Sequence, residues 1–357
     1  MIFIVDAHLD LSMNALDWNR DLTKSVQKIR ERELGKTDKP DRGRNTVSFP
    51  ELRKGNIGLV VGTMIARYVD EKNSLPGWHS PEQAWAQTQG QLAWYHAMEN
   101  AGEIKIISSK KQLANHLDNW NKIKTDKKAI GLILSLEGAD SIIDLKYLEL
   151  AYTNGLRALG PAHYGPGRYA NGTDSSGHLN DAGKLLLKSM NSLNMILDVT
   201  HLCDDAFWDA MDLYSGPLWA SHNNCRSIVN HNRQFDDNQL KTIIQRNGVI
   251  GAALDAWMIV PDWKRGISNP KEMNCDLNKV IDHMIHICNL AGNSHHMAIG
   301  SDLDGAFGTE QSPYDIDTIA DLQAFPNLLS SRGFSDDDIK KIMHQNWIDF
   351  LQKNLPE

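Results

Sequence analysis

Cysteine is scarce in this chain, and none of its cysteines forms a CxxC pair. The 357 residues include only Cys203, Cys225, Cys275 and Cys288. Small secreted domains that depend on disulfides carry a denser and more regular cysteine pattern. The pattern therefore predicts reduced thiols in a cytoplasmic protein rather than a disulfide framework.

Basic residues are also in the minority, and long apolar runs are missing. There are 37 Lys and Arg against 45 Asp and Glu, giving a net charge of -8, which argues against a nucleic-acid-binding surface. The most basic stretch, residues 122–128, is short and is interpreted as a solvated loop. No apolar run approaches the ~20 residues needed to span a bilayer, and MIFIV leads directly into the charged DAHLD without the features of a signal peptide. We expect a cytoplasmic protein without a membrane segment; a homodimer stays open.

The apolar residues are gathered into short strand-like runs separated by helical segments. Several runs are continuously hydrophobic, which is typical of parallel strands covered by helices on both sides. The runs are Ile2–Ala7, Ile57–Ala66, Ile130–Leu136, Leu156–Gly160, Met195–Thr200, Pro217–Ser221, Val249–Leu254 and Met297–Ser301. Eight βα-like units predict an α/β protein, a (β/α)8 TIM barrel that forms one domain over residues 1–357.

Boundary signals mark two of the helices and three inserted segments. Ser80-Pro81 begins a helix expected to end near Gly102, and Ser335 begins the last helix. The inserted segments are Asp17–Pro50, Pro161–Asn180 and Asp255–Cys275. The second and third follow strands, so we expect them to overhang the carboxyl-terminal mouth of the barrel.

Four of the strand-like runs end in side chains that can ligate metal ions. His8 and Asp10 close the first run, Glu137 the third, His201 the fifth and His222 the sixth. An unpaired ionisable group at the end of a buried strand is costly, so its recurrence at four strand ends needs a reason. Catalytic groups of TIM barrels lie at these ends, and mixed histidine and carboxylate ligands suit zinc and related divalent ions. Five ligands predict two ions, with Glu137 as the bridge.

Each of these ligands has a plainer alternative. The pair His8 and Asp10 could form a structural hydrogen bond, and Glu137 could cap the turn that follows it. His201 and His222 could be satisfied core histidines. Asp6, in the same DxHxD run, is interpreted as a carboxylate that orients its neighbours.

Three further residues are candidates for catalysis and substrate binding. Asp302, after the eighth run, could carry a proton; it could also close a turn, as could its neighbour Asp304. His163 could donate to a developing oxyanion, or be an ordinary loop histidine. Arg233 could grip a substrate carboxylate, or form a surface ion pair with an aspartate in the following QFDD segment. Cys203 and Cys225 could act as soft ligands, although packing as small apolar residues is the simpler interpretation.

Taken together, the motifs resemble those of one enzyme family. The ordered set DAHLD, LSLEGADSI, DVTHLCDDAFWD, SHNNCRSIVNHNRQ and IGSDLDG is similar to the membrane (renal) dipeptidases, which are binuclear zinc peptidases. The similarity runs from the first strand to the final helix. HxD on the first strand, together with a glutamate, separates this branch from the more general amidohydrolases.

The resemblance implies roles for individual residues. His8 and Asp10 would hold one zinc ion, His201 and His222 the other, and Glu137 would bridge them. A hydroxide between the ions would be the nucleophile that hydrolyses the dipeptide.

Three more roles follow from the same resemblance. His163 would contact the substrate carbonyl oxygen, Arg233 would bind the C-terminal carboxylate, and Asp302 would lie beside the attacking water. Two other functions stay open at this point. One is a barrel amidohydrolase acting on a non-peptide amide, lactone or ester, and the other is a metal-loaded binding or scaffold protein without turnover.

Overall fold

Parallel strands form the centre of the molecule. The structure, a computed structural model, describes residues 1–71, 73–122 and 128–357. Most of the basic stretch at residues 122–128 therefore lies outside the described residues. The strands are β1 Ile4–Leu9, β2 Ile57–Met64, β3 Ile104–Ile106, β4 Ile130–Glu137, β5 Leu156–Gly160, β6 Ile196–Asp198, β7 Leu218–Trp219, β8 Ile250–Ala252 and β9 Met297–Ile299.

These strands follow one another around a barrel. β1, β2, β4, β5, β6 and β7 pair in that order, all parallel, and β8 pairs with β9. A bridge between Ala220 and Ile250 joins β7 to β8. A backbone hydrogen bond of 3.2 Å from Asp302 N to His8 O brings the end of β9 against β1. All eight predicted runs contain a strand of this circuit, so the predicted barrel fold is confirmed.

One strand was not predicted from the sequence. β3 has only three residues and pairs with the first three residues of β4, Ile130–Leu132. β5 pairs with β4 from Leu134 onward. Its middle residue, Lys105, is exposed. A strand this short with a charged centre gives no continuous apolar signal.

Helices surround the strands and alternate with them along the chain. Their bounds are α1 Leu11–Leu16, α2 Val26–Glu33, α3 Phe49–Lys54, α4 Pro81–Asn100, α5 Lys110–Lys122, α6 Leu145–Thr153, α7 Asp181–Ser192, α8 Asp204–Leu213, α9 Asp237–Gln245, α10 Ala256–Ile259, α11 Leu277–Ala291, α12 Phe325–Ser331, α13 Asp336–Lys340 and α14 Asn346–Asn354. Ser80 caps α4 by accepting a hydrogen bond from Gln83 N, as predicted. Ser335 caps α13, which continues through a π-turn at Lys341–Gln345 into α14.

The two faces of the strands bury different groups. One face packs against the surrounding helices in the large outer core. The other face forms a smaller inner core that includes Leu59, Val61, Ile133 and Trp219, with Trp347 of α14 set edge-on to Trp219 at 5.5 Å between ring centroids. Side chains alternate along a strand, so the inner face that holds Ile133 also carries Glu137. The barrel interior is therefore polar at the carboxyl-terminal ends of the strands and apolar farther from those ends.

Close backbone packing at β7, β8 and β9 depends on two glycines. A Cβ atom on Gly251 or Gly300 would lie 2.0 or 1.7 Å from the Ser221 carbonyl oxygen. Any larger residue would push the end of β7 away from β8 and β9. This contact fixes the position of Ser221 and of His222, which follows it.

Candidate active site

The predicted metal ligands converge on the carboxylate of Glu137. Its Oε1 atom lies 3.1 Å from His201 Nε2 and 3.5 Å from the Nε2 atoms of both His8 and His222. Asp10 Oδ1 lies 3.8 Å from His8 Nε2. All five side chains are buried. The structure thus brings together residues spread over more than two hundred positions of sequence.

Asp10 reaches the site in a different way from the one expected. Residues two apart on a strand point to the same side, which would place Asp10 beside His8 if the strand continued through both. β1 ends at Leu9, however, and its pairing with β2 shifts register between Asp6 and Leu9. Asp10 is the residue just before α1, and the Thr63 hydroxyl at the end of β2 donates a hydrogen bond to its carboxylate.

Ligand atoms are close enough to form three overlapping groups. Within 4.8 Å of one another lie ligand atoms of His8, Asp10 and Glu137, and likewise those of Glu137, His201 and His222. The first two groups share Glu137. A third group joins His8 and His222 to Asp302.

The electrostatics of the cluster suit a divalent cation. His8 Nε2 is buried and has no hydrogen-bond partner among the described residues. Although burial opposes protonation, the carboxylates of Glu137, Asp10 and Asp302 raise the pKa of His8 to about 10. Burial and the nearby Glu137 raise the pKa of Asp10 to about 6. Crowded buried carboxylates beside imidazole lone pairs form a donor set for a zinc-like ion.

Hydroxyl groups behind the histidines orient the rings. Thr173 Oγ1 lies 3.0 Å from His201 Nδ1, and Ser221 Oγ lies 2.9 Å from His222 Nδ1 and 3.3 Å from His8 Nδ1. Asp198, at the end of β6, accepts a hydrogen bond from Ser221 N. These supporting residues were not predicted from the sequence. Only the adjacency of Ser221 and His222 hinted at one of them.

Asp302 and Asp304 have different surroundings. Asp302 Oδ1 lies 3.8 Å from His8 Nε2, and burial raises the pKa of Asp302 well above its ordinary value. Asp304 Oδ1 instead accepts hydrogen bonds from Thr46 N and Oγ1, at 2.6 and 2.8 Å, and its Oδ2 accepts one from Val47 N. Of the two aspartates, only Asp302 has its carboxylate at the ligand cluster.

The loop after β9 is held in a strained shape. Asp302, Asp304 and Ala306 have φ angles of 58, 64 and 65°, a left-handed region that costs about 1–3 kcal/mol for a non-glycine residue. Asn14 Nδ2 donates hydrogen bonds to the backbone oxygens of both Asp10 and Asp304, at 3.0 and 2.8 Å. The inserted segment Asp17–Pro50, through Thr46 and Val47, holds Asp304 of the same loop.

His163 faces the Oε2 atom of Glu137, whereas His8 faces Oε1. Its Nε2 is 3.9 Å from Glu137 Oε2, and its Nδ1 is 2.7 Å from Nη2 of Arg67. Arg67 was not predicted from the sequence. Burial lowers the pKa of His163 to about 4. None of the three ligand groups includes His163. The Tyr164 ring packs against His201 with 5.2 Å between ring centroids, so the segment Pro161–Asn180 overhangs the site as predicted.

Arg233 is a buried cation next to the ligand cluster. Its guanidinium donates hydrogen bonds to His222 O at 2.9 Å and to Asn223 Oδ1 at 3.0 Å. In the described part of the chain no carboxylate lies within 4.0 Å of it. Asp236 caps α9 and Asp237 pairs with His286, so the surface ion pair considered for Arg233 does not form.

Asp6 and the cysteines have structural surroundings. Asp6 Oδ1 accepts hydrogen bonds from His8 N at 3.3 Å and Ser301 N at 2.8 Å, which ties β1 to the end of β9. Cys203 and Cys225 are buried free thiols whose Sγ atoms face backbone oxygens. Neither belongs to a ligand group of the described residues.

Inserted segments partly cover the mouth of the barrel. Arg265 Nη2 donates a hydrogen bond of 3.1 Å to Tyr164 Oη, so the two inserted segments that follow strands touch each other beside the site.

In the described ranges, none of the helices is both long and apolar enough to span a membrane. The cytoplasmic location and the homodimer stay predictions.

Comparison with known proteins gives the context of this site. The model of the membrane dipeptidase family, peptidase family M19, matches residues 1–354. A dipeptidase of Claviceps purpurea, tcpJ, is 26% identical over 261 residues, covering 70% of this chain but only 57% of that protein.

Two solved structures share the fold over nearly the full length. A dipeptidase described as a metallopeptidase of family M19 superposes with a TM-score of 0.80 at 23% identity, covering 100% of this chain and 99% of that chain. A metallopeptidase of Rhodobacter sphaeroides, solved with a phosphinate mimic of the dipeptide L-Ala-D-Ala, gives a TM-score of 0.78 at 21% identity and covers 99% of each chain. With the whole-chain family match and the buried ligand groups, these findings show that the chain belongs to the membrane dipeptidase family, peptidase family M19, as a divalent-metal-dependent hydrolase.

Proposed function

We propose that this protein is a dipeptidase that works with two zinc ions. His8 and Asp10 hold one ion, His201 and His222 hold the other, and Glu137 bridges them. The two ligand groups that share Glu137 support this division. Zinc ions bound there would supply a hydroxide nucleophile at neutral pH and polarise the scissile carbonyl group.

The observation that carries the choice of a dipeptide is the buried guanidinium of Arg233. A buried charge is expected to have a partner, yet among the described residues Arg233 donates only to neutral oxygens, those of His222 and Asn223. A substrate carboxylate is the fitting counter-charge, and bidentate binding by arginine would fix its orientation. Because Arg233 is bonded to the backbone of a metal ligand, the carboxylate is held close to the scissile bond.

Two other side chains complete the proposed chemistry. His163 donates a hydrogen bond to the carbonyl oxygen as negative charge develops on it. Asp302, whose pKa burial raises, accepts a proton from the attacking water and passes it to the leaving amine. The contact between Tyr164 and Arg265 narrows the mouth and limits the length of substrate on the amino side.

A peptide panel on the zinc-loaded protein tests this function. We expect cleavage of L,L or L,D dipeptides and poor cleavage of tripeptides and C-terminally amidated dipeptides. Arg233→Ala should lower kcat/KM for free dipeptides by the equivalent of about 2–5 kcal/mol, because a charge-assisted pair is lost. The same change should barely affect the low rate on amidated dipeptides.

Arg226→Ala is the matched control, since Arg226 lies in the same segment but pairs with Asp204 at 2.7 and 2.8 Å. It should leave kcat/KM nearly unchanged. Efficient cleavage of amidated dipeptides or long peptides by the parent protein would contradict the proposal. That result would favour an amidohydrolase acting on another amide, a lactone or an ester.

A further inference from the structure

The histidines around Glu137 divide into two classes by the partner of Nδ1. For His8, His201 and His222 that partner is a hydroxyl group, at 2.9–3.3 Å. A hydroxyl oxygen can accept two hydrogen bonds, so Ser221 can accept from both His8 and His222 while its own proton faces Thr200 Oγ1 at 3.5 Å. A hydroxyl partner lets each of these rings keep its proton on Nδ1, so that Nε2 can offer a lone pair to a metal ion once the ion displaces the second proton of His8.

His163 has the opposite kind of partner. Its Nδ1 lies 2.7 Å from Nη2 of Arg67, and a guanidinium group has donors but no acceptor. Nδ1 must therefore accept this hydrogen bond, and the ring proton of neutral His163 is on Nε2. That atom lies 3.9 Å from Glu137 Oε2. The ring consequently offers a proton, rather than a lone pair, to the space beside the ligand cluster.

A second hydrogen bond holds the guanidinium group of Arg67 in place for this contact. It follows β2 in the chain, and its Nη1 donates a hydrogen bond of 2.9 Å to Pro76 O. Among the described residues no carboxylate lies within 4.0 Å of its guanidinium. His163 is thus a principal polar partner of a partly buried cation.

We infer that Arg67 is a positioning residue that keeps His163 in the Nε2–H tautomer, so that this proton meets the oxyanion of the transition state. The inference rests on the proposed peptidase function. In this role Arg67 acts through His163 and does not touch the substrate. In the other tautomer, Nε2 would present a lone pair to the developing negative charge and would repel it.

Steady-state kinetics of the zinc-loaded protein form the first arm of the test. Arg67→Met removes the donor and should lower kcat on dipeptides by up to about 10²–10³-fold, the loss typical of one oxyanion donor, with a smaller change in KM. Arg67→Lys keeps a donor and should recover much of kcat. In a His163→Gln background, where the amide always offers a donor, Arg67→Met should have little further effect. Equal losses in Arg67→Met and Arg67→Lys would overturn the inference.

The second arm reads the tautomer directly and does not depend on the substrate. In ¹⁵N-histidine-labelled, zinc-loaded protein, the signals missing from His163→Gln identify His163. The parent protein should show a protonated Nε2 and an unprotonated Nδ1, and Arg67→Met should change this pattern. A parent protein protonated at Nδ1, or a pattern unaltered in Arg67→Met, would overturn the role of Arg67. A failure of dipeptide cleavage in the first arm, with the expected ¹⁵N pattern, would count against the proposed function alone.

Discussion

Glu137 is the residue around which the site is organised. Three imidazole Nε2 atoms lie 3.1–3.5 Å from its Oε1 atom, and His163 faces its Oε2. Against the effect of burial, the charge of His8 holds the pKa of Glu137 well below its ordinary value. Glu137 is thus a carboxylate kept ionised among histidines, whereas burial keeps the pKa of Asp302 high. Two carboxyl groups that face the same imidazole, that of His8, are thus suited to different tasks.

The role of Asp302 gives a prediction at the same scale. Asp302→Asn keeps the size of the side chain but removes its ability to take up a proton. We expect kcat to fall by about 10²–10⁴-fold while the metal content per chain stays nearly unchanged. Kinetics and elemental analysis of the same sample check this. Asp262→Asn, on the exposed part of a mouth segment, is the control.

Two results would count against this role. Normal turnover would remove Asp302 from the mechanism, and loss of bound metal would make it a ligand through its contacts with His8 and His222. Asp304 is a poor substitute as proton carrier, because Thr46 and Val47 already occupy both of its oxygens.

At the scale of elements, the strand ends place the site and the loops complete it. The continuous apolar runs made the eight main strands and their ends predictable, and this located the ligands. The hydroxyl groups of Thr63, Thr173 and Ser221 have no spacing that reveals them, because their partners come from other elements. Arg67 could not be selected for the same reason: its contact with His163 exists only once β2 and β5 lie near each other.

The packing of α11 against the loop after β7 gives a prediction about stability and pH. His283 of α11 is buried, and its Nδ1 accepts a hydrogen bond from Cys225 N at 3.1 Å while its Nε2 faces Ile259 O at 3.0 Å. Burial lowers the pKa of His283 from 6.5 to about 4. A second proton on the ring would sit on Nδ1 and would point at the N–H group of Cys225, which is itself a donor. The neutral ring therefore stabilises the fold fully above pH 6.5, and this contribution is lost as the pH falls toward 4.

Urea unfolding of the parent protein and His283→Gln over this pH range measures the contribution. The shift in pKa corresponds to on the order of 3 kcal/mol. We expect the variant to be less stable at pH 7 and to lose less of its unfolding free energy on acidification. His295→Gln changes an exposed histidine and is the control. Parallel pH curves for the parent and His283→Gln would show that His283 does not titrate in this way.

At the scale of the whole molecule, the barrel joins an apolar lower core to a polar mouth. The inner core ends below Glu137, and Trp347 of α14 packs within it. All three inserted segments then contribute contacts around the mouth: Thr46 to Asp304, Thr173 to His201, and Arg265 to Tyr164. The fold thus encloses the crowded, buried ligands that a pair of cations would stabilise.

Metal content per chain tests the central claim most directly. After zinc loading and dialysis against metal-free buffer, the parent protein should hold close to two ions per chain. Glu137→Gln should weaken binding of both ions, because one carboxylate serves both ligand groups. Glu103→Gln, a glutamate paired with Arg53 away from the site, should keep both. A parent protein with one tightly held ion, retained in Glu137→Gln, would contradict the account.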